Sequence, residues 1–599
     1  MKKPMPLSLC LAALSLPLLA APAAAAGGGP AADGKKVVQL PIRTDGPKSL
    51  DPAQGSTVYD NMACVQPYET LLEVRYTDTR QYKPLLLAEL PERLDGGTRW
   101  SFKLKRGVRF HDDPCFPGGK GRELVTDDVF YSWKRLADKK NLLKNWWLFK
   151  DKIVGFDAYK EAQNEAEKFD YDAPVEGFVK KNDYEFEVVM TEPVYTFIWN
   201  LTQFQTSVVP REAVEHYGED FASHPVGTGP FLFESWVPKI SLAYDRNPNY
   251  HGGEYPGDWS EADRELGLHE AAGTPLPIPD RLEFTMFVED QPMWLEFDAG
   301  NLAYTQVPDE YFETAFSKRT KKLRREYKKR DIGAHANPLL DFIFIGFNME
   351  DPLLGGYTPE KRALRQALSL AADWDERNET FYSGINIIYD GPIPPTLDGH
   401  PEGHKVPGAY RGPDLDRARA KLAEAGYPNG EGLPPIIYYT NRGGNNPQQT
   451  ELLKRQLAKI GVRVEPQLVD FSTLIEKVNS RAAPMFSFAW SSDYPDGENN
   501  LALFYGPNES PGSNHYNYKN PEYDALYEQI RVMEPSPERT ALYEKMRDIL
   551  LEDVPYLGSM ARERRYLIAP WAKNCRPTER FYSWFKYLDV EEDHIQPER

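Results

Sequence analysis

Two hydrophobic periods alternate along this chain and divide it into strands and helices. Period-two or short apolar runs predict strands at 37–42, 100–104, 185–190, 282–288 and 342–347. A glycine turn at 226–229 feeds a further strand through 233. Helical spacing places Val129, Phe130, Trp133 and Leu136 on one stripe, with Thr126 as the expected cap and Asp127 and Asp128 at the positive end of the dipole. A partial helix is expected within 61–73. Pro359 opens another helix, whose stripe is Ala363, Leu364, Ala367, Leu368 and Ala371. Asp414 caps the next, which stops at Gly426.

The pattern around residues 436–498 carries the most chemistry. Residues 436–440 read as a strand and 441–445 as a loop. Asn446-Pro447 opens a helix with Leu452, Leu453, Leu457 and Ile460 inward, and a new strand begins after Gly461. Strand, crossover helix, strand predicts two parallel neighbours. Residues 485–490 form a further apolar and aromatic strand that ends at Ser491, Ser492 and Asp493 and turns at Pro495 and Gly497. If this strand runs the same way, Arg442 and Asp493 emerge at one sheet edge, where ligands of open parallel sheets gather. Asp493 suits an amine. Arg442, just before a helix amino terminus, suits a carboxylate. A peptide between them satisfies both groups. The plainer roles are a turn-capping aspartate and a solvated loop arginine.

Composition narrows the class. At 599 residues, two or three domains are expected. The hydrophobic share of 41% supplies their cores, and 51 prolines with 43 glycines predict long structured loops. The formal charge of −19 argues against a nucleic-acid partner. Lys2 and Lys3, the apolar run 7–19 and Ala24-Ala25-Ala26 predict a signal peptide over 1–26. Cys10 follows Leu9, which is not small, so a freely exported protein is expected instead of a lipoprotein. Cys64, Cys115 and Cys575 allow three pairings, of which Cys64 with Cys115 is preferred.

Several other features bear on chemistry. His111-Asp112-Asp113 lacks further ligands at metal-site spacing, and 118–121 lacks the order of a phosphate loop. No metal or cofactor is expected. The basic run 318–330 reads as a solvated helix face or as a docking patch for an acidic partner. Asp493, Asp496 and Glu498 offer paired acids for a secreted hydrolase. They crowd one turn, however, and no G-x-S-x-G, H-E-x-x-H or cysteine-nucleophile setting accompanies them, so no catalytic residue is assigned.

The chain resembles the extracytoplasmic solute-binding proteins of peptide and nickel ABC transporters, family 5. The likeness rests on L-D-P from Leu50, L-K-R-G-V-R-F-H-D-D from Leu104, T-D-D-V-F-Y-S-W-K-R from Thr126 and V-G-T-G-P-F from Val226. It continues through R-N-P-N-Y from Arg246, L-R-Q-A-L-S-L-A-A-D from Leu364, A-R-A-K-L-A-E-A-G-Y from Ala418 and W-S-S-D-Y-P-D from Trp490.

The resemblance implies an α/β, two-lobed periplasmic-binding-protein fold of type II with the ligand cleft between the lobes. Lobe I is expected over 27–287, with an extra subdomain at about 78–205, lobe II over 288–560, and a return to lobe I over 561–599. It implies that Asp493 pairs with a peptide's amino group and that Arg442, allowing one inserted residue, takes the carboxylate. Ser487 stands where oligopeptide binders carry an arginine, a departure from the long-peptide pattern. Trp490 and Ser491 match positions lining the family's groove, against the plainer roles of core packing and turn chemistry. The implied partners are a short peptide and the permease subunits of an ABC importer, with a monomeric protein in the periplasm. A nickel chelate, sugar, haem or opine is the alternative ligand on the same fold.

Overall fold

The computed structural model describes residues 34–597 except 580 and 595, with only the backbone at 596–597. The signal peptide expected at 1–26 and Cys10 lie outside the described residues.

The first sheet sets Val37–Ile42 parallel to Arg281–Met286, followed by the antiparallel strands Ser241–Arg246 and Phe231–Val237. Its inward residues, among them Leu40, Ile42, Leu242, Leu282 and Phe284, are almost wholly buried. Arg281–Met286 covers the stretch where the sequence places the first domain crossing. The core it joins runs on through Trp294, Phe297, Phe312 and Tyr327 to Ile332, and resumes from Tyr566 to Val590. A separate antiparallel sheet of Glu92–Leu94, Arg99–Lys103, Glu185–Val189 and Phe178–Lys180 packs into the same core.

The second large sheet has six strands. Their order is Ile387–Ile388, Tyr556–Ala561, Asp341–Phe347, Met485–Ser491, Ile436–Asn441 and Val464–Val469. Strand alternation sorts its residues between two cores. Ile345, Phe347, Tyr438 and Met485 enter one, under the Pro359–Ala371 and Asn446–Ala458 helices. Phe342, Phe344 and Phe486 enter the other with Phe504, Tyr516 and Tyr556. Two strands carry the chain between the cores. Gly333–Pro338 and Glu563–Ile568 pair antiparallel along their full length, from Gly333 opposite Ile568 to Pro338 opposite Glu563.

Local chemistry departs from expectation at several points. The helix expected within 61–73 is shorter and earlier, Val58–Cys64, with Thr57 and Asp60 forming a reciprocal capping box. Thr126 is the first residue of its helix and not its cap; the Asp128 carboxylate accepts from the Val125 N–H, while the Thr126 hydroxyl donates to Asn182 O. The preferred Cys64–Cys115 disulfide is absent, and Cys64, Cys115 and Cys575 are all free thiols. Cys64 ends its helix facing the core with Sγ near Ser49 O, whereas Cys115 sits in a turn whose N–H donates to Asp113. Each side chain is thus committed to its own surroundings.

Candidate functional site

The site is built on a strand pair. Met485–Ser491 runs parallel to Ile436–Asn441, with Tyr438 opposite Met485 and Tyr439 opposite Phe486. The residues following both strands, Arg442 and Ser492–Asp493, therefore leave the same edge of the sheet. The turn after Ser491 is tied down closely. Ser492 donates its N–H to Leu340 O at 2.9 Å and its hydroxyl to Asn500 Oδ1 at 2.6 Å. Asn499 then organises the end of the strand. Its Oδ1 accepts from Trp490 Nε1 at 2.8 Å and from the Asp493 N–H at 3.2 Å, and its Nδ2 donates to Asp493 Oδ2 at 3.2 Å. Asp493 and Trp490 are half-buried, and Ser491 is exposed.

The other acids of the turn serve the architecture. Asp496 caps the Gly497–Leu501 helix by accepting from the Glu498 N–H. It also accepts from Arg539 Nη1 at 2.7 Å and Tyr543 Oη at 2.5 Å. Glu498 is buried against the Tyr494 and Tyr527 hydroxyls, and burial raises its carboxyl above the ordinary value despite those hydrogen bonds. Asp496 and Glu498 are thus both held by hydrogen bonds within the scaffold of this turn.

Arg442 occupies a different setting. Its Nη2 donates to Asp470 Oδ2 at 2.9 Å, with the two side chains 60% and 66% exposed. It shares the sheet edge with Asp493. The sizeable cavity beside the turn is lined by neither residue.

That cavity, 390 Å³ in volume, is lined by Tyr82, Tyr195 and Trp199 from one part of the chain and by Pro495, Gly497 and Arg539 from another. Arg539 crosses the seam, its guanidinium 5.8 Å from the Tyr195 ring, and its Nη2 has no hydrogen-bond partner among the described residues. Gln203 Nε2 donates to the Asp493 carbonyl at 3.1 Å, so the first lobe also reaches the turn directly. Lys152 donates to Trp147 O at 2.8 Å. Burial lowers its ammonium to about 8, against the opposing pull of Glu498 and, more weakly, Asp493.

Sequence reasoning singled out Asp493, Arg442, Trp490 and Ser491 and missed Asn499, Gln203, Lys152 and Arg539. Asn499 had a local signal, a polar residue one turn into the helix that follows Asp496. The other three come from distant segments and have none. Among the described residues no cluster of three or more metal-ligating side chains occurs, and no helix is long and apolar enough to cross a membrane.

Comparison with known proteins places the fold. The profile of bacterial extracellular solute-binding proteins, family 5, matches residues 81–512. Heme-binding protein A of Haemophilus influenzae is 26% identical over 509 residues, covering 83% of this chain and 82% of the relative. Oligopeptide-binding protein AppA of Bacillus subtilis is 24% identical over 503 residues, covering 80% and 78%. Among solved structures, HbpA2 from Haemophilus parasuis superposes with a TM-score of 0.73 at 20% identity, over 93% of this chain and 100% of that one. The two-lobed fold is that of these proteins.

Proposed function

Because this chain belongs to the bacterial extracellular solute-binding proteins of family 5, we propose that it captures short peptides in the periplasm. It then delivers them, as a monomer, to the permease subunits of an ABC importer. The observation that carries this reading is the placement of Asp493. It is a half-buried carboxylate, oriented by Asn499, in a turn at the seam between lobes that Gln203 contacts from the opposite side. A peptide amine enclosed there finds a counter-charge, without which burying an ion costs several kcal/mol.

In this reading the first lobe comprises 34–332 and the residues from 566, with the sheet of 92–189 as its extra subdomain. The second lobe comprises 340–561. The paired strands Gly333–Pro338 and Glu563–Ile568 are the hinge about which the lobes close. Arg442 takes the peptide carboxylate by exchanging it for Asp470. That exchange is inexpensive, because an exposed ion pair contributes only about 0–1 kcal/mol. The 390 Å³ cavity beside Pro495 and Gly497 admits a ligand side chain between the aromatic walls of Tyr82, Tyr195 and Trp199. Trp490 and Ser491 line the approach. The ligand leaves unchanged, and no catalytic group is assigned.

Calorimetry with free, N-acetylated and amidated dipeptides tests this. Free dipeptides should bind, N-acetylation should weaken binding at least tenfold, and Asp493→Asn should do the same. Unchanged affinity after both changes overturns the amine anchor. The haem-binding relative favours one second reading, in which the same cleft holds haem. A Soret shift on haem addition, competed by no peptide, would replace the peptide with haem.

A further inference from the structure

The segment 318–330 holds nine lysines and arginines and a single acid, Glu326, in a chain whose overall formal charge is −19. A backbone bridge between Phe316 and Leu323 closes its first half into a turn, and Arg325–Lys328 forms a short helix. Two apolar residues pin it down. Leu323 packs against the first core, and Tyr327 is buried there with its ring 6.3 Å from that of Trp294. With both anchors turned inward, the cations are left on the outside.

Some of those cations are already committed. Lys318 pairs with Glu313 at 3.2 Å, Lys321 lies 3.7 Å from Glu379, and Arg330 pairs with Asp298 at 2.5 Å. Arg319, Lys322, Arg325, Lys328 and Lys329 are exposed and make no ion pair with a described residue. Five uncompensated charges within eleven residues repel one another, an arrangement that a partner's negative charge relieves.

We propose that this patch is a docking surface for an anionic lipid bilayer, which it meets through phosphate headgroups. The choice of partner follows from what the patch lacks. Protein interfaces centre on apolar and aromatic anchors, and here Tyr327 is buried in the core and Leu323 is half-buried against it. A fluid layer of headgroups needs no such anchor and adapts to long cationic side chains. Clusters of four to eight lysines and arginines are of the size that holds a protein on anionic membranes. The acidic excess carried by the rest of the molecule is repelled by the same surface, so contact through the patch also fixes the molecule's orientation.

The test compares the full chain with the variant R319Q/K322Q/R325Q/K328Q/K329Q in vesicle sedimentation. Both carry the same amino terminus, so the apolar run 7–19 contributes equally. All five positions are exposed, and equal thermal melts would confirm that both proteins are folded. Wild-type protein should sediment with phosphatidylglycerol–phosphatidylcholine vesicles at about 0.05 M salt and be released at about 0.5 M, where screening shortens the reach of the charges. It should ignore pure phosphatidylcholine, and the variant should partition at least tenfold less. Three results overturn the proposal: no binding of wild type to the anionic vesicles, equal binding by the variant, or binding that survives high salt. Tighter binding to poly-glutamate than to vesicles of equal charge also overturns it, in favour of an acidic protein partner.

Discussion

Arg539–Asp496 and Arg442–Asp470 are two ion pairs in the same lobe, 2.7 and 2.9 Å long, and burial makes them opposites. The side chains of the first are 2% and 8% exposed, those of the second 60% and 66%. Asp496 spends its oxygens on Arg539, Tyr543 and the Glu498 N–H, which welds the turn after Asp493 to the Pro537–Asp553 helix. Arg442 holds Asp470 in water, where the solvent offers nearly equal terms. Contact length alone therefore does not separate a structural pair from an exchangeable one. A buried pair is costly to break, because the surviving ion is stranded, while an exposed one is free to change partners.

The sharpest test of this contrast is Asp496→Ala, which strands Arg539 and removes a helix cap. It should destabilise the protein by about 3–5 kcal/mol, measured by denaturant unfolding. A loss below about 1 kcal/mol would place Asp496 in the same class as Asp470. A buried pair in the first lobe extends the comparison through pH. Burial works against the Glu73 carboxylate, but Lys586 and Lys83 pull it down to about 2 from the ordinary 4.5. A depressed acid stabilises the fold above its unfolded value, and that contribution is lost as pH falls. Between pH 4.5 and about 2 the wild type should lose about 3 kcal/mol that Glu73→Gln does not. Parallel pH profiles for the two proteins would refute this.

Asp493→Asn should reverse the pattern of Asp496→Ala. Its stability should stay within about 1 kcal/mol of wild type, while affinity for free-amine dipeptides falls at least tenfold, about 2–5 kcal/mol for a desolvated charge pair. The smallest effect belongs to Arg442→Ala. Its stability should change by less than about 0.5 kcal/mol, and the preference for free-acid over amidated dipeptides should disappear. Retention of that preference would leave the carboxylate to another group.

Much of the scaffold was legible in the sequence. The strands at 37–42, 342–347, 436–440 and 485–490 and the helix opening at Pro359 announce themselves through period and punctuation, which depend on neighbours a few residues away. The parallel pairing of Ile436–Asn441 with Val464–Val469 followed from the intervening crossover helix, whereas the sequence left the direction of Met485–Ser491 open and the fold sets it parallel to Ile436–Asn441. The position of Asp493 just past a strand end was legible because a carboxylate following an apolar run is a local pattern; its role as an amine anchor stays a proposal. The roles of Asp496 and Glu498 were not legible, since Arg539, Tyr543 and Tyr527 arrive from helices 29 to 47 positions along the chain. The thiols that never meet and the first core that extends to Ile332 are likewise outcomes of packing. Local periodicity decides which segments become strands and helices, because it sets which face each can bury. Only the assembled fold decides which charges lose their water, and that desolvation separates the pairs that hold the molecule together from the one left free to exchange.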